Sequence, residues 1–327
     1  CIRDRLHTML RFTIRRVALS LVTLFILIFV VFLMTWLTPG DTARRLAGPF
    51  APQERVDALN DQLGLDDPFF VQFWTLLVSV VTLDFGESCS SPGVQVVDLG
   101  QPALWTAGKL GFLALLLTLP ISIIAGVIAA RKKDTVLDRS IVTLGLASAS
   151  VPEFVSGVIL QYVIGVRLGW LPAISDIPDG TSPLGQIEYL LLPALAIVAV
   201  YFGYIARITR AGTISALDAD YARTAYLKGL GTTQVLRRHV LRNSLQPTVA
   251  VTGTQIGYLF GGLVGLEIVF NYPGLGRLIF RAATTPDFPL LQAGVITVAI
   301  IFMICTLGAD LIIAWMNPRA RMNLGGS

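Results

Sequence analysis

Asp218 to Pro247 reads Asp-Ala-Asp-Tyr-Ala-Arg-Thr-Ala-Tyr-Leu-Lys-Gly-Leu-Gly, then Thr-Thr-Gln-Val-Leu-Arg-Arg-His-Val-Leu-Arg-Asn-Ser-Leu-Gln-Pro. It is a cation-rich polar stretch in a chain otherwise made of apolar runs, and its pattern predicts two short helices joined by a turn. Ser215 and Asp218 have capping-box spacing, and Asp218 and Asp220 suit the positive end of a helix dipole. Leu217, Tyr221, Ala225 and Lys228 then fall on one helical face. Gly229 and Gly231 allow the backbone to stop a helix, and Thr232 is placed to cap the next one. In that second helix Val235, Leu236, Val240 and Leu241 alternate with Arg237, Arg238, His239 and Arg242 until Pro247. A compact hairpin with one apolar and one cationic face is a docking element. The plainer alternative is a basic loop that touches anionic lipid.

Outward from this hairpin the chain is a membrane protein. Hydrophobic residues fill 54% of its 327 positions and charged residues 14%, against roughly a quarter charged in soluble domains. The apolar run Val17–Leu37 follows Arg3, Arg5, Arg11, Arg15 and Arg16. It is longer than the apolar core of a secretory signal, about 7–15 residues, and Thr38-Pro39-Gly40-Asp41 replaces a small-residue cleavage site. It is therefore expected to span. Further spans are expected at Leu104–Ala130, Ser140–Val166, Leu190–Ala206, Pro247–Phe270 and Leu290–Met316, about six in all.

Residues 38–103 form a polar excursion after the first span. Pro52 can start a helix carrying Val56, Leu59 and Leu63 that ends at Gly64, and Pro68 can start another over Phe69–Leu83. The second is too short to cross, which predicts that it lies along the interface with Phe70, Phe73 and Trp74 among headgroups.

Six spans put both termini on one side. That side then holds Arg131, Lys132, Lys133 and Arg139, the hairpin cations, and Arg319 and Arg321, while the other side is sparse in cations. The positive-inside rule makes the rich side cytoplasmic. The expected organisation is thus a cytoplasmic segment 1–16, a first span 17–37, an extracytoplasmic helical excursion 38–103, a transmembrane core 104–316 containing a cytoplasmic loop 207–246, and a cytoplasmic tail 317–327. The chain starts at Cys1, so its natural N-terminus is expected to lie further upstream.

Several chemistries lack parts. No Gly-x-x-x-x-Gly-Lys-Ser/Thr loop is present, so ATP hydrolysis by that route is not expected here. His7 and His239 are the only histidines, and Cys1, Cys89 and Cys305 are widely spaced, so no metal-ligand spacing or disulfide framework is visible. No enzyme activity, cofactor or metal is expected in this chain, and no nucleic-acid partner.

Within the spans, Gly253, Gly257, Gly261 and Gly265 recur every four residues, a small-residue face for close helix packing in this subunit or against a partner. Three acids fall in spanning segments: Asp310, Glu267 and Glu153. Glu267 and Glu153 are candidate pore residues. Glu153 lies about 13 residues from Ser140, or roughly 20 Å at 1.5 Å per residue, near the middle of a core about 30 Å thick. A pore-lining carboxylate there would attract a cationic group such as a peptide's amino terminus. Alternatively, a protonated Glu153 is hydrogen-bonded to Ser150 or Ser156.

Beyond these physical readings, the hairpin resembles the "EAA" loop of permease subunits of ABC importers. The family pattern Glu-Ala-Ala-x-x-x-Gly falls on Arg223, Thr224, Ala225 and Gly229, with its glutamate and first alanine replaced. Arg-Thr-Ala followed by Lys-Gly-Leu, and then His-x-Leu-Arg-Asn, is similar to the dipeptide and oligopeptide permease branch. Val151-Pro152, Gly157, Leu168-Gly169-Trp170-Leu171-Pro172, Gly261-Gly262, Glu267, Tyr272-Pro273-Gly274-Leu275-Gly276-Arg277, Asp287-Phe288-Pro289 and Asn317-Pro318-Arg319 continue that resemblance.

The resemblance implies an all-α type I ABC importer permease, paired with a second, non-identical permease. It also implies two ATPase subunits, or one fused ATPase, that bind ATP and Mg, and an extracytoplasmic binding protein. Tyr221, Arg223, Thr224, Ala225, Lys228, Gly229, Leu230 and Gly231 would then couple to the ATPase. The rival from another class is a self-sufficient secondary transporter or channel that uses Glu153, Glu267 and Asp310 as an ion path.

Overall fold

The computed structural model describes residues 2–38, 42–48, 50–64, 66–178, 180–261, 263–285 and 287–316. Every regular element among them is a helix; Glu87 and Gln95 add a single isolated β-bridge. In chain order they are α1 (Ile2–Trp36), α2 (Thr42–Ala47), α3 (Gln53–Leu63), α4 (Phe69–Thr82), α5 (Val96–Arg131), α6 (Val136–Ala149), α7 (Glu153–Leu160) and α8 (Gln186–Leu217). There follow α9 (Asp220–Leu227), α10 (Thr232–Val235), α11 (Leu241–Ser244), α12 (Gln246–Gly261), α13 (Val264–Val269), α14 (Leu275–Thr284) and α15 (Phe288–Met316).

Four described helices are long and apolar enough to cross a membrane: α1 from Thr13, α5, α8 and α15. A fifth crossing is possible if α6 and α7 act together. The structure corrects the expectation of one continuous third span, because these two helices meet at a bend of 99°. Pro152 causes it: the ring has no N–H to donate and disfavours helical backbone at Val151. After Leu160 the helix loosens into π geometry through Arg167. The fifth expected span is also divided, into the 16 residues of α12 and the short α13.

The packing centre is α5 against α8, with α6 crossing α8 and α12 lying on α15. Two glycines allow the tightest crossing. A Cβ on either Gly145 or Gly203 would run into the backbone of the other, so α6 and α8 touch main chain to main chain, as small-residue contacts in membranes allow. Leu110, Leu192, Ile197, Leu259, Leu266, Phe270 and Tyr272 fill the interior near the excursion end. Tyr272 is fully buried, and its hydroxyl donates to the Thr106 carbonyl at 2.7 Å.

α1 stands apart and contacts chiefly α15 and α4. Near the opposite end Arg16 pairs with Asp310, joining the first helix to the last. In the excursion, α3 ends at Gly64 in left-handed conformation (φ 59°), as Pro52 and Gly64 predict. α4 begins after Pro68 and ends at Leu83. Its aromatic side is split. Phe69 and Phe73 make edge contacts with Phe29 of α1, at 6.4 and 5.5 Å between centroids. Phe70 and Trp74 stay exposed. Phe73 is thus stacked on α1 and not free for headgroups.

Candidate coupling hairpin and mid-membrane bend

The hairpin is built on the end of a long rod. α8 has 32 residues, roughly 48 Å at 1.5 Å per residue, so it outruns a core about 30 Å thick. Ser215 belongs to this rod and does not cap the next helix. α9 starts at Asp220 behind Ala219, with no side-chain cap. Its buried face is Ala222 and Ala225, packed on Val235, Leu236 and Val240. Tyr221 is 40% exposed and Leu227 83% exposed, and Arg223, Thr224 and Lys228 face outward.

Gly229 turns the chain with φ +79°, and a Cβ there would meet nothing within 4 Å. The left-handed conformation requires the glycine, then, and not crowding. Leu230 is half-buried against the hairpin core. Gly231 keeps an ordinary φ of −68° and takes the cap position expected of Thr232, which becomes the first helical residue. The second limb passes through a π turn at Leu236–Val240. It does not stop at Pro247, which falls in the first turn of α12, where a missing N–H costs nothing.

The hairpin is tied to the core through contacts the sequence did not flag. Asp138, 2% exposed in α6, accepts two bonds from the Arg210 guanidinium of α8, at 2.5 and 2.6 Å, and one from the Asp134 amide at 2.9 Å. Gly212 lies so close to the Ser244 carbonyl that a Cβ would collide with it. The hydroxyls of Thr209 and Thr248 sit 2.9 Å apart. An Asp four residues after a basic cluster, with Arg on a later helix, carries no periodic signal; only the crossing of α6 and α8 brings them together.

At the excursion end two carboxylates are buried. Glu267 is 1% exposed and accepts from the Arg277 amide at 2.6 Å, at the start of α14. A Cβ at Gly274 would run into that carboxylate. Glu267, a pore candidate from sequence, is thus turned inward onto the first turn of α14. Asp287, 0% exposed, accepts from the Ser88 hydroxyl (2.5 Å), the Ser90 hydroxyl (2.8 Å), and the amides of Cys89 (3.2 Å), Ser90 (3.1 Å) and Leu290 (3.3 Å). It caps α15 and clamps the excursion at once. Asp-Phe-Pro is a legible cap, since Asp precedes Pro in a first turn; its grip on residues 88–90 is not legible.

The glycine row divides by element. Gly253 packs on Ala309 and Gly257 on Phe302, both in α15, whereas Gly265 lies in α13 against Phe154 of α7. The surroundings of Gly261 lie outside the described residues, as do Pro39, Gly40, Asp41 and the tail from Asn317. Glu153 is half-buried as the first residue of α7. Among the described residues no group of three or more His, Cys, Asp or Glu could hold a metal ion.

An all-helical polytopic body carrying a basic hairpin on an elongated core helix defines a transport permease and not an enzyme. The chain belongs to the family of binding-protein-dependent transport system inner membrane components, which it matches over residues 122–322. Residues 9–100 match the family's N-terminal membrane component. It is 35% identical over 316 residues to the Glutathione transport system permease protein GsiC of Escherichia coli (strain K12), covering 96% of this chain and 99% of that protein. The proteins of that name from Shigella dysenteriae serotype 1 (strain Sd197) and Shigella flexneri serotype 5b (strain 8401) match to the same extent. This chain is accordingly a membrane permease subunit of a binding-protein-dependent ABC importer.

Proposed function

We propose that this permease forms half of the translocation pathway of an importer for peptide-like substrates and is driven by a separate ATPase. The observation that carries the coupling is the hairpin. Tyr221, Arg223, Thr224, Lys228 and the turn at Gly229, with Ala225, Leu230 and Gly231 shaping it, present an exposed surface on a rod fastened to the core by Asp138 and Arg210. A second, non-identical permease completes the pathway. Two ATPase subunits, or one fused ATPase, bind ATP and Mg and seat the hairpin.

An extracytoplasmic binding protein delivers substrate at the excursion end. In this reading both termini and loop 207–246 are cytoplasmic, 38–103 is extracytoplasmic, and 104–316 is the core. Cation asymmetry supports that orientation. The names of the similar proteins and the sequence resemblance both favour a peptide-like cargo.

Deleting this chain should abolish uptake of at least one member of a panel of di- and tripeptides, glutathione and nickel. The tagged protein should co-purify with an ATPase and a second permease. Transport by the isolated chain without any ATPase would refute the reading.

A further inference from the structure

Glu153 stands apart from the other buried acids of this molecule. Asp138, Glu267, Asp287 and Asp310 each have a donor or a cation. Among the described residues, no hydrogen bond or ion pair reaches the Glu153 carboxylate. Ser150, a potential local partner, spends its hydroxyl on the Leu146 carbonyl at 2.9 Å. A charged side chain at mid-bilayer costs roughly 3 kcal/mol on insertion scales and so faces a wet cavity or a partner.

The bend explains how the carboxylate is displayed. α7 begins at Glu153 itself, so the charge sits at the positive end of a new helix. The main-chain contact of Gly145 with Gly203 presses the preceding helix onto α8, two residues from Tyr201. Tyr201 of α8 feels the charge of Glu153 and the neighbouring Tyr258 of α12. Tyr201 is half-buried and Tyr258 is 59% exposed. Neither hydroxyl has a hydrogen-bond partner among the described residues. Three helices thus bring one carboxylate and two phenols together with their polar atoms uncommitted.

We propose that Glu153, Tyr201 and Tyr258 form a subsite for a protonated amine carried by the substrate as it crosses the membrane. The carboxylate supplies the charge, the phenol oxygens accept N–H bonds, and the ring faces favour a cation. The amino terminus of a short peptide is the group this site takes. The inference rests on the peptide-importer reading and adds the chemical feature that the permease itself selects.

The test uses the assembled complex, with binding protein and ATPase, in proteoliposomes. Initial ATP-driven uptake is compared for glutathione, dialanine and trialanine and for their N-acetylated twins, each supplied as preloaded binding protein. Glu153→Gln should reduce uptake of the free-amine compounds about tenfold. It should leave the N-acetylated twins and the binding-protein-stimulated ATPase within about twofold of wild type, and Glu153→Asp should restore part of the loss. Tyr258→Phe, at an exposed position, should show the same selectivity loss in smaller measure.

Equal loss for both members of each pair, or wild-type uptake by Glu153→Gln, would overturn the subsite while leaving the importer intact. If Glu153→Gln does not assemble, Tyr258→Phe decides: unchanged amine selectivity overturns the proposal. ATP-independent uptake by the wild-type complex would instead remove the importer reading, and this subsite with it.

Discussion

The shoulder around Glu267 and Asp287 and the bend at Glu153 both hold acids at sites poor in water, yet they treat them in opposite ways. The shoulder surrounds each carboxylate with amides and hydroxyls from segments distant in sequence; Asp287 alone draws donors from residues 88–90 and from Leu290. The bend leaves Glu153 without a donor. An acid whose lone pairs are all taken is a part of the fold, and replacing it leaves buried donors orphaned. An acid left open adds nothing to folding and persists for what passes by it.

The strongest way to break this comparison is Asp287→Ala. It should cost on the order of 3–5 kcal/mol, since several buried donors lose their acceptor at about 1–3 kcal/mol each. Little protein should accumulate in membranes, and what does should be cut by protease in the 84–95 loop. Normal accumulation and melting would mean that the clamp is dispensable.

Gly274→Ala is the next largest. The added methyl must displace a Glu267 carboxylate held by the Arg277 amide, and overpacking of this kind costs roughly 1–3 kcal/mol. The detergent-solubilised melting temperature should fall, and pairing the change with Glu267→Ala should recover part of the loss by making room.

A third change separates stability from coupling at the hairpin. Gly229→Val forces a β-branched residue to φ +79°, a strain of about 1–3 kcal/mol confined to a surface turn. The protein should insert and assemble while transport per ATP hydrolysed falls at least severalfold. Full transport would remove the turn from the coupling path.

A smaller effect is chemical. Burial, and secondarily the charge of Asp287, push the Cys89 thiol from an ordinary 9.0 up to about 12. At pH 8 it stays protonated and should react with iodoacetamide far more slowly than an exposed cysteine introduced at Asp66. Because the folded pKa is raised, the contribution to stability is complete below pH 9 and is lost as pH climbs toward 12. Fast alkylation at pH 8 in folded protein would contradict the clamped loop.

The smallest expected effect lies at the bend. Glu153→Leu should leave assembly and melting unchanged, or raise melting slightly, since no donor is orphaned and insertion becomes easier. A clear loss of assembly would put Glu153 with the structural acids.

By itself the sequence determined the all-helical membrane class, the hairpin, the excursion helices from Pro52 and Pro68, and the left-handed turn at Gly229. These are local matters: apolar runs, prolines and glycines act within a few residues through propensity, capping and solubility. It also placed Glu153 at mid-depth by counting, though it read through the bend that Pro152 imposes. Only tertiary structure decided which acids are satisfied. Asp138 with Arg210, Asp287 with Ser88 and Ser90, Glu267 with Arg277, and the meeting of Glu153 with Tyr201 and Tyr258 join residues from separate helices or loops, several of them far apart in the chain. Such pairings depend on where helices cross. A crossing is set by contacts such as Gly145 on Gly203, where the missing Cβ counts only because another backbone occupies its place.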